Sequence, residues 1–212
     1  MLIIFIVSTS IHLYASWKQN QSLRNKSKPI ILLSLLGFYC CAAKNIHIFV
    51  VLALLFSWLG DILLMQQGKK WFTLGGSSFL LSHIFYILSY AFDTDFSVIP
   101  KVFLFLLPIA FILIVANIFE HLKPYLSKEL FYPMSFYLFV NGMMNCFAWF
   151  RSFSSTALTA WITSIGALLF FISDTTLFFV RFKKDSLLQT HFIVMLTYAI
   201  GEFLIVLGLI LA

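Results

Sequence analysis

Apolar residues run along this chain in eight long stretches separated by short polar connections. The stretches lie near Leu2–Trp17, Pro29–Ala43, Ile48–Met65, Trp71–Phe92, Val98–Phe119, Leu130–Phe150, Thr156–Val180 and His191–Leu211. A bilayer core about 30 Å thick takes about 20 such residues per helix. None of the stretches alternates apolar and polar positions as a barrel strand would, so the pattern predicts helices. The connections are short, and the expectation is one integral membrane domain over residues 1–212: an all-α bundle of eight transmembrane helices. The first stretch has no basic segment before it and no small-residue cleavage site after it. It reads as a retained helix, not a signal peptide.

Composition narrows the class further. Hydrophobic residues make up 61% of the 212, charged residues 10%, and the mean hydropathy is +0.99. A soluble domain carries roughly 45–50% apolar and about 25% charged residues, so a soluble fold is excluded. The formal charge of +6 is spread over short loops and gathers on no single face, which argues against a nucleic-acid partner. Cys40, Cys41 and Cys146 all sit inside apolar stretches. They are expected as small, reduced core residues, so no disulfide scaffold is expected.

The basic residues set an orientation. Connections after stretches one, three, five and seven carry Lys18, Arg24, Lys26, Lys28, Lys69, Lys70, Lys123, Lys128, Arg181, Lys183 and Lys184. The other connections carry only Lys44, Lys101 and Arg151. The positive-inside rule then predicts both termini outside the cytoplasm, in the cell or inner membrane if the source is prokaryotic.

Three acidic residues fall inside apolar stretches: Asp61, Asp174 and Glu202. A carboxyl at that depth costs roughly 2.5–3.5 kcal/mol even on lenient insertion scales, so such residues are functional candidates. Asp61 and Asp174 are matched. Each follows a Leu-Leu-Phe run and a small residue, Gly60 or Ser173, and precedes a Leu three residues on. Lys69 follows Asp61 by eight residues and Arg181 follows Asp174 by seven, which predicts one depth for the two carboxyls. The four-stretch offset suggests two related four-helix halves. Polar residues at helical spacing accompany them: His83 with Tyr86, Tyr137 with Asn141 and Asn145, and Tyr198 with Glu202. Together they predict a polar pocket open toward the basic side.

Two carboxyls in a dry pocket divide into an acid and a base. That pairing suits hydrolysis through an oxocarbenium-like state, aspartyl proteolysis, or proton-coupled transport. The protease reading is weak, because its motifs would need Gly at Trp58 and Tyr at Ser173. No His or Cys spacing fits a metal site, and no Gly-x-Ser-x-Gly elbow occurs.

The run Phe56–Met65 resembles the first signature of the lysoplasmalogenase (YhhN-like) family, and Gly166–Asp174 with Arg181-Phe182 resembles the second. Lys28-Pro29, the Phe79–His83 run with Tyr86, and Thr197-Tyr198 are similar as well. The family tends to have Gln where this chain has Glu202. The resemblance implies hydrolysis of the vinyl-ether bond of lysoplasmalogens, giving a fatty aldehyde and glycerophospho-ethanolamine or -choline. It implies Asp61 and Asp174 as the acid–base pair. It also implies a lysophospholipid site built from Lys28, Ser57, His83, Tyr86, Tyr137, Asn141, Ser173, Arg181, Tyr198 and Glu202. Lys28 and Arg181 at the rim would hold the phosphate, with no metal or organic cofactor and with membrane lipids as surroundings. A small proton-coupled transporter or lipid-translocating protein using the same acids is the rival reading.

Overall fold

The computed structural model describes residues 1–155, 157–183 and 191–211. The expected start of the seventh span at Thr156 and the charges Lys184 and Asp185 lie outside the described residues. Among the described residues eight α-helices follow in order: α1 Leu2–Trp17, α2 Gln21–Ala42, α3 Ile48–Leu64, α4 Lys69–Phe92, α5 Lys101–Leu122, α6 Lys128–Ser154, α7 Leu158–Phe178 and α8 His191–Ile210. A 3-10 turn, Lys123–Tyr125, joins α5 to α6, and a π-helical turn, Phe179–Lys183, prolongs α7. Among the described residues there is no strand.

Among the described residues four segments are long and apolar enough to cross a membrane: Lys69–Phe92, Lys101–Tyr125, Leu158–Lys183 and His191–Ile210. Helices α1 and α3 are equally apolar in character but have 16 and 17 residues. Helices α2 and α6 are long, at 22 and 27 residues, but carry polar side chains. In α6 these are Tyr137, Asn141, Asn145 and Arg151, all buried. Their polarity serves the interior, which is why the helix is less apolar along its length than the four segments above.

Helix α2 begins eight residues before the expected Pro29. The Asn20 side chain accepts the Leu23 amide at 3.1 Å, a capping bond that satisfies one free donor of the first turn. The first two turns, Gln21–Lys28, are therefore helical and project one polar face. Pro29 sits inside α2. Its own carbonyl accepts the indole N–H of Trp58 on α3 at 2.9 Å, which ties the two helices together.

Seven helices close a ring. Helix α1 packs on α2, α2 on α3, α3 on α4, α4 on α6, α6 on α7, α7 on α8, and α8 returns to α1. Helix α5 lies outside the ring against α6. Only Phe111, Phe119 and Leu122 of α5 are buried, while Val102, Phe105, Ile109 and Leu113 face outward. The α7–α8 seam is made of glycine. A Cβ on Gly166 would lie 2.7 Å from the Gly201 carbonyl, and one on Gly208 would lie 2.5 Å from the Thr159 carbonyl. No larger residue fits, so the two backbones touch directly. The cysteines correct one expectation. Cys146 is buried, but Cys40 and Cys41 are exposed on α2, with all three free. The buried face of α2 runs through Ile31, Leu35 and Tyr39, and the cysteines point away from it.

Candidate active site

A cavity of about 250 Å³ opens at one end of the ring. Helices α2, α4 and α8 begin there, and α1, α3 and α7 end there. Asp61 from α3 and Asp174 from α7 both line it, although they stand 113 positions apart in the chain. The small residues before each aspartate let neighbouring helices close in. A Cβ on Gly60 would meet the Phe79 ring of α4 at 2.6 Å. Ser173 donates to the Val194 carbonyl of α8 at 2.9 Å.

The two carboxyls have different surroundings. Asp61 forms an ion pair with Lys28, Nζ to Oδ1 at 3.0 Å, with side-chain exposures of 17% for Lys28 and 4% for Asp61. Its Oδ2 accepts the Tyr198 hydroxyl at 3.0 Å. Both oxygens are thus engaged, one by a full positive charge. Asp174 is held through a single oxygen. Its Oδ2 accepts the Tyr137 hydroxyl at 2.5 Å, the Asn141 amide at 2.8 Å and His83 Nε2 at 3.2 Å. Among the described residues no partner engages Asp174 Oδ1. Tyr137 spends its proton on Asp174, so the 3.1 Å contact between His83 Nε2 and the Tyr137 oxygen makes Nε2 a donor as well. Edge-to-face rings of Phe79, Phe170 and Tyr198 pack around this group, and His83 stands edge-on to Phe170.

The rim is basic. Arg24, Lys28 and Arg181 line it, with His12 and His191. The π-helical turn carries Arg181 over the Phe72 ring, 5.0 Å from its centroid. His12, 1% exposed, is fixed by a 2.9 Å bond from Nδ1 to Ser27 Oγ, and Nε2 has no partner. Ser27 commits its own proton to the Leu23 carbonyl, so Nδ1 is the donor.

Of the residues expected at the site, Asp61, Asp174, Lys28, Ser173, Arg181 and Tyr198 line this cavity. His83, Tyr137 and Asn141 stand directly behind Asp174. Ser57, Tyr86 and Glu202 are not brought to it. Ser57 bonds Ser82 at 2.7 Å, and the Tyr86 hydroxyl donates to Glu202 Oε2 at 2.6 Å in a separate, fully buried cluster. His12, Arg24 and His191 escaped the sequence reading. The spacing Gln21, Arg24, Asn25, Lys28 was the available signal, since these positions share one helical face once Asn20 is seen as a cap. No cluster of His, Cys, Asp and Glu able to hold a metal occurs among the described residues.

A helical protein with membrane-type spans that encloses two carboxylates beneath a basic rim is the class defined so far. The family model described as the YhhN family matches residues 23–209, and the chain belongs to that family, the family of lysoplasmalogenases. No curated protein and no solved structure gave a match.

Proposed function

We propose that the protein is an intramembrane hydrolase that cleaves the vinyl-ether bond of lysoplasmalogens. The observation that carries this reading is the convergence of Asp61 and Asp174, in unlike environments, on one cavity under a cationic rim. In this mechanism Asp174 carries the proton on its unengaged Oδ1, while Oδ2 is anchored by Tyr137, Asn141 and His83. It protonates the β-carbon of the vinyl ether, and an oxocarbenium ion forms at the α-carbon and ether oxygen. Asp61, paired with Lys28, faces that developing charge and takes a proton from the water that adds to the α-carbon. The hemiacetal then collapses. Asp61 returns its proton to the departing glycerol oxygen, the hemiacetal hydroxyl gives its proton to Asp174, and both carboxyls are restored. One water is consumed, and a fatty aldehyde and a glycerophosphodiester leave. Arg24 and Arg181 suit the phosphate of the lipid as cations able to form forked hydrogen bonds. Lys28 serves chiefly Asp61.

The test is aldehyde release by detergent-solubilised protein, with no gradient present. Asp61→Asn and Asp174→Asn should each lower kcat by about 10²–10⁴-fold at equal abundance. A tenth or more of wild-type turnover in either variant would remove that residue from the pair. Aldehyde absent from the wild type would favour the transporter reading. The proposed topology has eight spans, with both termini on the face opposite the basic rim. A reporter fused after Leu211 should read as non-cytoplasmic, and a cytoplasmic signal would reverse it.

A further inference from the structure

A second, apolar cavity of about 150 Å³ lies between α4 and α6. Phe72, Gly76 and Leu80 form one wall, Pro133 and Met134 the other, and Tyr137 closes the inner end beside Phe178. Two residues join it to the polar site. Phe72 lines both cavities, and Tyr137 donates its hydroxyl to Asp174. The apolar groove therefore ends one phenol ring from the proposed acid. Its outer rim faces the surface of the ring at Phe136, which is 56% exposed. Thr73, also in the lining, turns its hydroxyl back to the Lys69 carbonyl at 3.1 Å.

Gly76 is the unexplained residue of this groove. Its neighbour Gly75 is glycine because a Cβ there would strike Leu64 at 2.7 Å, yet a Cβ on Gly76 would meet nothing within 4 Å. Glycine inside a helix weakens it relative to alanine, and here no close packing requires it. What glycine provides at position 76 is open space on the groove wall.

We infer that the groove is the hydrocarbon-tail subsite of a single-chain lipid, and that the absence of a side chain at Gly76 sets the chain length it admits. The inference rests on the hydrolase reading for the identity of that lipid. A lysolipid has one chain and one charged head. The basic rim and the groove meet at Phe72, which divides head from tail. A chain lying between α4 and α6 runs sideways out of the ring toward the bilayer, and the bond to be cut falls beside Tyr137 and Asp174.

Two measurements test it. The first uses a saturated 1-O-alkyl lysophosphoethanolamine with a diazirine near the chain end, photolysed with wild-type protein in nanodiscs. Label is expected on α4 around Gly76 and on α6 from Pro133 to Tyr137. An excess of unlabelled lysolipid should compete it away and a diacyl phospholipid should not. Label on the outward face of α5, or equal competition by the diacyl lipid, would make the groove an ordinary bilayer contact and overturn the inference. The second measurement uses Gly76→Leu. Open space around position 76 predicts a Tm at or above that of the wild type. The ratio of kcat/KM for long-chain over short-chain vinyl-ether lysolipids should fall about tenfold or more. An equal loss at both lengths would overturn the size role of Gly76. Should the wild type release no aldehyde from any vinyl ether, the hydrolase reading alone fails, and the labelling map still decides the groove.

Discussion

Lys28→Met separates two jobs for one ammonium group. In the structure Lys28 lies 3.0 Å from Asp61 and is mostly covered, so its loss leaves a nearly buried carboxylate with only the Tyr198 hydroxyl as donor. Breaking a buried ion pair from one side costs about 3–5 kcal/mol. The partial exposure of Lys28 argues for the lower end, about 3 kcal/mol. For a chain of this size each kcal/mol moves Tm by roughly 2–4 °C, so Lys28→Met should lower the midpoint by roughly 6–12 °C. Asp61→Asn should cost less, about 1–2 kcal/mol, because the freed ammonium can extend into the open mouth of the cavity. The double variant has no stranded charge. Its loss should fall short of the sum of the singles by about 2 kcal/mol, within the range of coupling seen for contacting residues. Thermal unfolding of the four proteins in one detergent measures the cycle. Additivity within about 0.5 kcal/mol would refute the pairing. Turnover gives an independent reading. Loss of the counter-ion should lower kcat, since Asp61 must be ionised to receive a proton, whereas a lysine that only held phosphate would raise KM and leave kcat alone.

Arg181→Gln should show that second pattern, because the guanidinium stands over Phe72 at the rim and away from the reacting bond. An unchanged KM would leave Arg181 as a membrane-edge anchor only. Glu202→Gln should keep most activity, since an amide oxygen can accept the Tyr86 hydroxyl as Glu202 Oε2 does. Glu202→Leu should lose about 1–3 kcal/mol of stability by stranding that buried hydroxyl. Glu202→Gln as inactive as Asp61→Asn would mean that the carboxyl itself is required and would favour proton-coupled transport.

Helices α1, α3, α4, α5, α6, α7 and α8 were legible as apolar runs, and their bounds fall within a few residues of the expected ones. The end of α2 was legible too, but its start was not, because a hydropathy window ends where polarity begins while hydrogen bonding continues. Residues Gln21–Lys28 are polar and still helical. The aspartates were legible because a carboxyl inside an apolar run has no cheap explanation. Their counterparts were less so. His12 belongs to a buried stripe with Ser8 and Ser16 on α1, but nothing along the chain shows that this stripe meets α2 and α8. Tyr86 and Glu202 were expected in the same cavity as the aspartates. Depth and spacing place a side chain on a face; which cavity that face meets depends on helix rotation, and here it turns both into a separate cluster. Cys40 and Cys41 failed for the same reason: an apolar run does not say which of its sides faces out.

The glycine seam between α7 and α8 has a mechanical consequence. Backbones in direct contact through Gly166, Gly201 and Gly208 have no side-chain layer that could slide or compress, so these helices travel as a single body. Asp174 on one and Tyr198 on the other are thereby held at a fixed separation. Any slack in the bundle must come from elsewhere, and α4 against α6, which meet through His83 and Tyr137 and leave a groove between them, is such a place. With a rigid wall on the α7–α8 side, any widening of the site falls on α4 and α6, the two helices that line the apolar groove.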